Sequence, residues 1–329
     1  MRLLRLLGVA VVLALAAGGY LHFRLHRPYR AFQGAVFLDF PRGTSTEAMA
    51  DELAKAGVVR SRWDFVLARL GAHGRRLQAG EYRFDNAASP REVYDRIARG
   101  DIFYYELVVP EGKNMFDIAA AVEHLGLFKA DAFLAAARDP RMIRDLDPQA
   151  PTLEGYLFPD TYRVRRRTTP EELCRTMTGK FREVWGNLRT SAKLHDTVTL
   201  ASLVEREGKV APERPLIAAV FQNRLRIGMK LDCDPTTIYA ALLDHRYRGT
   251  IYKSDLESDN AYNTYRHAGL PPGPIANPGL ASLEAVLNPA DSEALYFVLR
   301  PGNSGAHEFS NNIAAHEAAI ARYRRGLQR

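Results

Sequence analysis

The chain begins with a run in which almost every position is apolar. From Leu6 to Phe23 it reads LLGVAVVLALAAGGYLHF, broken only by His22. At 1.5 Å per residue these roughly 18 residues span about 27 Å, close to the hydrocarbon thickness of a bilayer. Arg2 and Arg5 precede the run and Arg24, Arg27 and Arg30 follow it, so the flanking charge leaves the orientation open. We read the run as an uncleaved membrane anchor. The rival is a signal peptide cut after Ala14-Leu15-Ala16, and the apolar residues that continue to Phe23 argue against it.

Beyond the anchor the pattern changes to short alternating and helical segments. Ala35–Phe40 reads as a strand, and Thr44-x-x-Glu47 as a capping box opening a helix to about Ala56, closed by Gly57. A second helix is expected over Ser61–Leu70 and a second strand over Gly80–Phe84, giving a β-α-α-β order. Ser89, Pro90 and Glu92 fit the N-cap, N1 and N3 positions of a further helix. Strand-like Phe103–Val109 runs into a Pro110-Glu111-Gly112 turn and a helix over Met115–Leu125 capped by Asn114. We place a boundary there: an anchor and its flank over 1–33, a small domain over 34–108 and a larger one over 109–329. The larger domain is expected to carry helices at Asp131–Ala137, Glu171–Trp185, Val198–Glu207, Pro215–Leu225 and Thr236–Leu243. It should end in strand Leu295–Leu299, a Pro301–Gly305 turn, strand His307–Ser310 and a helix from Ile313. The class is α+β with helices dominant in the second half.

One helix carries a chemical oddity. In Thr199–Gly208, TLASLVEREG, residues Leu200, Leu203 and Val204 share a face, and Glu207 falls in the middle of it, while Glu205 lies on the opposite side. A carboxylate among apolar neighbours is costly unless it is neutral or paired. Burial would raise the Glu207 pKa and make it a proton donor near neutral pH. The alternatives are a structural carboxylate paired with Arg206, Arg214 or Arg224, or a helix that ends before Glu207.

Other polar clusters stand around it in sequence. Leu153–Tyr162 packs three aromatics and two acids into a Gly- and Pro-punctuated loop. Asp232-Cys233-Asp234-Pro235-Thr236 opens a helix, for which Asp234 is the expected N-cap. Ala261–Tyr265 precedes a stiff Gly269–Ile275 loop. Aromatic faces beside Asn, Thr and Asp side chains suit sugar rings, which present C–H faces and hydroxyls. Composition changes the picture little: 329 residues, 47% hydrophobic and 25% charged, describe an ordinary folded protein. The net charge of +7 suits an anionic polymer or membrane surface, but no nucleic-acid motif accompanies it, so no nucleic-acid partner is expected. Arg163–Arg167 reads as a solvated face. Cys174 and Cys233 match no redox or metal spacing and read as two buried thiols, with pairing left open; no metal or other cofactor is indicated.

The segments ASLVEREG, VFQNRLRIGMKLDCDPTTIYA, AYNTYRHAGLPPGPIANPG and LEGYLFPDTY together resemble the endolytic murein transglycosylase family, the YceG-like proteins, from about Val109 to the final helix. The β-α-α-β stretch resembles that family's LysM-like module, a looser match. The resemblance implies a lyase that cuts the β-1,4 bond between N-acetylmuramic acid and N-acetylglucosamine in nascent peptidoglycan strands, leaving 1,6-anhydromuramic ends. It implies a single-pass anchor in the cytoplasmic (inner) membrane, with the remaining domains on the periplasmic or extracytoplasmic side, and peptidoglycan synthases as partners. The second glutamate of the family's E-x-E motif is the catalytic one, which maps to Glu207. Glu205 is the runner-up for that role, expected on the polar side to contact a neighbouring loop or sugar, and Gln222, Asp234, Asn263 and Tyr265 are the expected sugar-contacting residues or those that orient Glu207. Cys233 departs from the small or polar residue familiar at that position, with no evident consequence. The competing class is a membrane-tethered wall-binding scaffold without catalysis.

Overall fold

The computed structural model describes residues 2–72, 75–302 and 305–327. They form two compact units, 1–105 and 106–329, each with its own core.

In the first unit a long apolar helix, α1 (Arg2–His26), leads into β1 (Val36–Phe40), α2 (Thr46–Lys55), α3 (Arg62–Leu70), β2 (Gly80–Phe84) and α4 (Pro90–Arg99). The apolar side chains of α1 from Leu6 to Leu15 lie exposed, and the helix is long and apolar enough to cross a membrane. The expected β-α-α-β order is present, with β1 and β2 antiparallel and Val36 opposite Phe84. One cap differs from expectation. Ser45, one residue later than Thr44, accepts the Ala48 N–H, while Thr44 Oγ1 donates to the Pro41 carbonyl. Either hydroxyl could satisfy an orphan donor, and the turn at Pro41 takes the first. The Ser89–Glu92 capping box is formed as expected. Phe40, Leu53, Phe65, Tyr82 and Tyr94 fill this unit's core.

The second unit starts within β3 (Tyr105–Val109) and continues with α5 (Met115–His124), α6 (Ala130–Ala137), β4 (Asp160–Val164), α7 (Pro170–Leu188), α8 (Leu194–Glu207) and α9 (Arg214–Arg226). It ends with α10 (Asp234–Leu243), α11 (Lys253–Leu256), α12 (Leu280–Leu287), β5 (Tyr296–Leu299), β6 (His307–Ser310) and α13 (Ile313–Leu327). β3 pairs with β4, and β5 with β6 antiparallel. The turn expected at Pro301–Gly305 includes 303 and 304, which lie outside the described residues. Three of the named elements lie outside the expectation, the short α11 among them. Asp160–Val164 is a strand where the sequence reads as a loop, and Leu280–Leu287 is a helix packed on α8 and α9.

α8 is the axis of this unit. Its residues from Thr197 to Val204 are all buried, including Thr199 and Ser202, because α9, α10 and α12 surround it. Between Thr197 and Val204 the helix has no solvated face, so the amphipathic reading of this segment is only half right.

Three loops are fastened beside α8 by one side chain. Asn277, fully buried, accepts from the Gly155 and Leu157 N–H groups, each at 2.9 Å, and donates to Lys113 O and Glu154 Oε1. Glu154 in turn accepts the Met115 N–H at the start of α5 with both oxygens, at 2.9 and 3.1 Å. Gly155 sits at φ +87°, and a Cβ there would lie 2.4 Å from the Pro274 ring, so only glycine allows this approach. Burial pushes the Glu154 carboxyl up to about 8, against the opposing pull of its N–H donors.

A carboxyl raised from 4.5 to about 8 on folding binds a proton that the unfolded chain releases, so its ionisation costs stability as pH rises between those values. The melting temperature should therefore fall across that window, and Glu154→Gln should flatten the slope. A scan at several pH values checks this; an unchanged slope in the variant would remove Glu154 as its source.

Candidate active site

α8 ends where Gly208 turns the chain, its N–H bonded to the Val204 carbonyl at 2.7 Å. A Cβ on Gly208 would meet Arg214 Cγ and the Val204 carbonyl at 2.9 Å each, so the turn needs glycine. The two glutamates of this last turn meet opposite fates. Glu205 is tied down, its side chain only 4% exposed. Arg214 Nη2 lies 3.0 Å from Oε1, and the Gly279 N–H donates to Oε2 at 3.0 Å. Its side of the helix is thus a buried ion-paired side, rather than the polar face the periodicity implied, though contact with a neighbouring loop was expected.

Glu207 forms no ion pair among the described residues. Arg206 donates to the Gly112 carbonyl, Arg214 is held by Glu205, and Arg224 by Asp232 and three backbone carbonyls. Among the described residues its carboxyl group accepts one hydrogen bond, from the Cys233 thiol 3.3 Å from Oε1. Burial raises the Glu207 pKa, and the nearby Asp234 adds to this; the Cys233 bond, His307 and Arg206 pull the other way. The thiol itself is pushed well above its ordinary range by burial and by Glu207, so it stays protonated and donates. The structural-carboxylate alternative required a cationic partner that Glu207 does not have.

The neighbouring segment is built to hold Cys233. Asp232 adopts the left-handed conformation at φ +46°, which Asp tolerates better than most residues. The Cys233 N–H donates to Thr264 Oγ1 at 3.0 Å, and Thr264 and Thr236 hydroxyls meet at 2.8 Å. Cys233, not Asp234, occupies the N-cap position of α10, without a side-chain cap bond. Asp234 is the first helical residue, and its exposed carboxylate accepts from the Tyr265 hydroxyl at 2.7 Å. Cys174 and Cys233 are both free thiols.

The other expected residues are more dispersed in role. Asn263 has 0% exposure. Its amide donates to the Asp255, Leu256 and Ser258 carbonyls and accepts from Thr237 Oγ1 and Tyr265 N, which leaves it no surface for a ligand in this conformation. Gln222, partly exposed on α9, donates to the Val286 carbonyl of α12. Three residues near Glu207 escaped sequence reading. Cys233 is one; the others are His307 on β6 and Glu213 in the 3-10 turn after α8. His307 Nδ1 lies 2.8 Å from Glu213 Oε2, and its N–H bonds the same carboxylate. His307 is buried at the start of β6, but nothing in the sequence pairs it with Glu213.

Glu207 is thus a half-buried acid with no ion-pair partner among the described residues, at the end of α8 and near the exposed Asp234 and the half-buried Tyr265, which makes it a candidate for acid-base chemistry on an α+β scaffold. A model of the YceG-like family matches residues 38–322, and the chain belongs to that family. It is 32% identical over 311 residues to the endolytic murein transglycosylase of Bacillus subtilis (strain 168), covering 88% of this chain and 84% of that protein. It is 30% identical over 321 residues to the endolytic murein transglycosylase of Streptococcus pneumoniae serotype 2, covering 88% of this chain but 58% of that longer protein. It is also similar to the crystal structure of a yceG-like protein from Listeria monocytogenes. That match has a TM-score of 0.56 and 28% identity, and covers 86% of this chain and 98% of that one.

The contrast between the two glutamates predicts a contrast in stability. Arg214→Met strands the buried Glu205 charge and should cost about 3 kcal/mol or more. Glu205→Gln keeps an acceptor for Gly279 and removes the charge, so its cost should be smaller. Denaturant titration of both variants decides it; equal costs would contradict the buried ion pair.

Proposed function

We propose that this chain is an endolytic murein transglycosylase that cuts peptidoglycan glycan strands with Glu207 as its single acid-base group. The observation that carries the reading is the unpaired, desolvated Glu207 at the end of α8 in a YceG-like chain. Most glycoside hydrolases use two carboxylates, one of which serves as nucleophile or activates water. A lytic reaction consumes no water, so one group can serve twice. The protonated Glu207 carboxyl gives its proton to the glycosidic oxygen as the C1–O bond breaks, and the N-acetylglucosamine side leaves as an alcohol. The 6-hydroxyl of the muramic residue closes on C1, and its proton returns to the Glu207 carboxylate. The nucleophile is already part of the substrate, which removes much of the entropic barrier. The Cys233 thiol favours the carboxylate form between the two transfers, and burial favours the acid.

In this reading Asp234 and Tyr265, exposed and half-buried beside Cys233, contact sugar hydroxyls. Gln222, on the α9 face toward α12, is placed as a weaker sugar contact. Asn263 and Glu205 act as positioning residues, bracing the 255–265 segment and the end of α8 respectively. We further propose that α1 spans the cytoplasmic membrane once, with both units on the extracytoplasmic side. The β1-α2-α3-β2 unit is read as a LysM-like module for the glycan, and peptidoglycan synthases as the partners that supply nascent strands.

The test incubates the full chain with uncrosslinked glycan strands and looks for 1,6-anhydromuramic ends by mass spectrometry. Glu207→Gln should lower their rate of appearance by about 10²–10⁴-fold or more, the usual contribution of a general acid. Glu205→Gln should retain more activity than Glu207→Gln. Reducing ends in place of anhydro ends would overturn the lyase chemistry, and strand binding without any product would favour a scaffold.

The pH profile follows from the same group. Activity should fall as pH rises through the Glu207 pKa, because the donor form is lost. Cys233→Ala removes a bond that stabilises the carboxylate, so this limb should move up by as much as about one pH unit. Cys233→Ser should move it back; a limb unaffected by either change would separate it from Glu207.

A further inference from the structure

We infer that the foot of α1 carries a binding site for the phosphate of an anionic phospholipid headgroup. The inference rests on the reading of α1 as a membrane span. The site is a cavity of about 170 Å³ where the last turns of α1 meet α3 and the start of α4. It is smaller than the ~300 Å³ of a drug-sized pocket, a size suited to a phosphodiester head rather than to a glycan. Arg24, Arg27 and Arg60 line it, with Asp64 as its single carboxylate. Asp64 is buried and already committed to Arg24, whose Nε lies 2.8 Å from Oδ1.

Arg27 and Arg60 form no ion pair among the described residues. Each is instead laid against an aromatic ring: Arg27 over Phe23 at 5.5 Å and Arg60 over Tyr29 at 5.0 Å. Tyr29 is itself fixed by a backbone bridge to Ala88. Stacking on a ring occupies the face of a guanidinium and leaves its N–H edge free, the edge that grips a phosphate with two parallel bonds. Arg30, by contrast, spends its donors on the Phe32 and Gly34 carbonyls. The cavity opens at the C-terminal end of the apolar span, Leu6–His26, which is the depth at which lipid phosphates lie. Next to Asp64, Trp63 stands 62% exposed with Arg62 against its ring, a side chain suited to the membrane interface. These features set an unneutralised pair of arginines where a phosphodiester is the most abundant anion.

The experiment uses the full chain in mild detergent, titrated with phosphatidylglycerol or phosphatidylcholine and read by native mass spectrometry. Phosphatidylglycerol should be retained at about tenfold lower concentration than phosphatidylcholine, as expected for two arginines acting near a lipid surface. Arg27→Gln with Arg60→Gln should bring the two lipids within about twofold; both side chains are exposed, so the fold is not at stake. Equal retention of the lipids, or a preference that survives the double substitution, overturns the proposal. Displacement of the lipid by millimolar inorganic phosphate also overturns it, by making the site one for free phosphate. Flotation on phosphatidylcholine vesicles after an alkaline wash separates the two readings. A chain that floats without lipid preference defeats this site alone, and a chain that does not float defeats the membrane span and the site together.

Discussion

The second unit is organised around an electrostatic constraint: a helix buried from Thr197 to Val204 ends in two carboxylates. The fold treats them differently. Glu205 receives a guanidinium and a backbone N–H, so its charge is compensated within the unit. Glu207 receives a thiol, a weak donor, and burial holds its pKa above the ordinary carboxyl value. The ordering of the surrounding loops follows from keeping these environments distinct. Arg214 is held on one side by Glu205, Arg206 is turned to the Gly112 carbonyl, and Arg224 is spent on the chain before Cys233. Had any of the three reached Glu207, a salt bridge would pull its pKa down against the effect of burial.

A second buried carboxyl, Glu154, serves a structural purpose with similar physics. Together with Asn277 it fastens the 110–115, 153–158 and 275–279 loops. The Gly279 N–H that completes the environment of Glu205 lies two residues beyond Asn277, so this knot also sets the floor against which the end of α8 rests. Polar groups buried this deeply are tolerated only when nearly every donor and acceptor is matched, and here they are matched across segments more than 100 residues apart in sequence.

Much of this was legible from the sequence because it is local. Strand Gly80–Phe84, the Ser89–Glu92 capping box and the β6 boundaries depend on neighbours within a few residues, and they lie where the pattern put them. The placement of Glu207 on the Leu200–Leu203–Val204 face is likewise a matter of helical period. What stayed hidden is non-local. That Glu205 is buried depends on α12, a helix not foreseen from Gly279–Leu287, and on an arginine nine residues away. The bond from Cys233 joins positions 26 residues apart, and the His307–Glu213 pair spans 94. Asn263 shows the converse: an amide among tyrosines reads in sequence as a sugar contact or an orienting group, and tertiary packing takes up its hydrogen bonds within its own segment and with Thr237.

The most direct measurement is a titration of the Glu207 side chain itself, by ¹³C NMR of glutamate-labelled protein with the resonance assigned by its loss in Glu207→Gln. A carboxyl that stays protonated well above the ordinary value of 4.5 is the predicted result. One that ionises at or below that value would mean that Glu207 holds no proton to give near neutral pH, and the acid-base role assigned to it would be wrong.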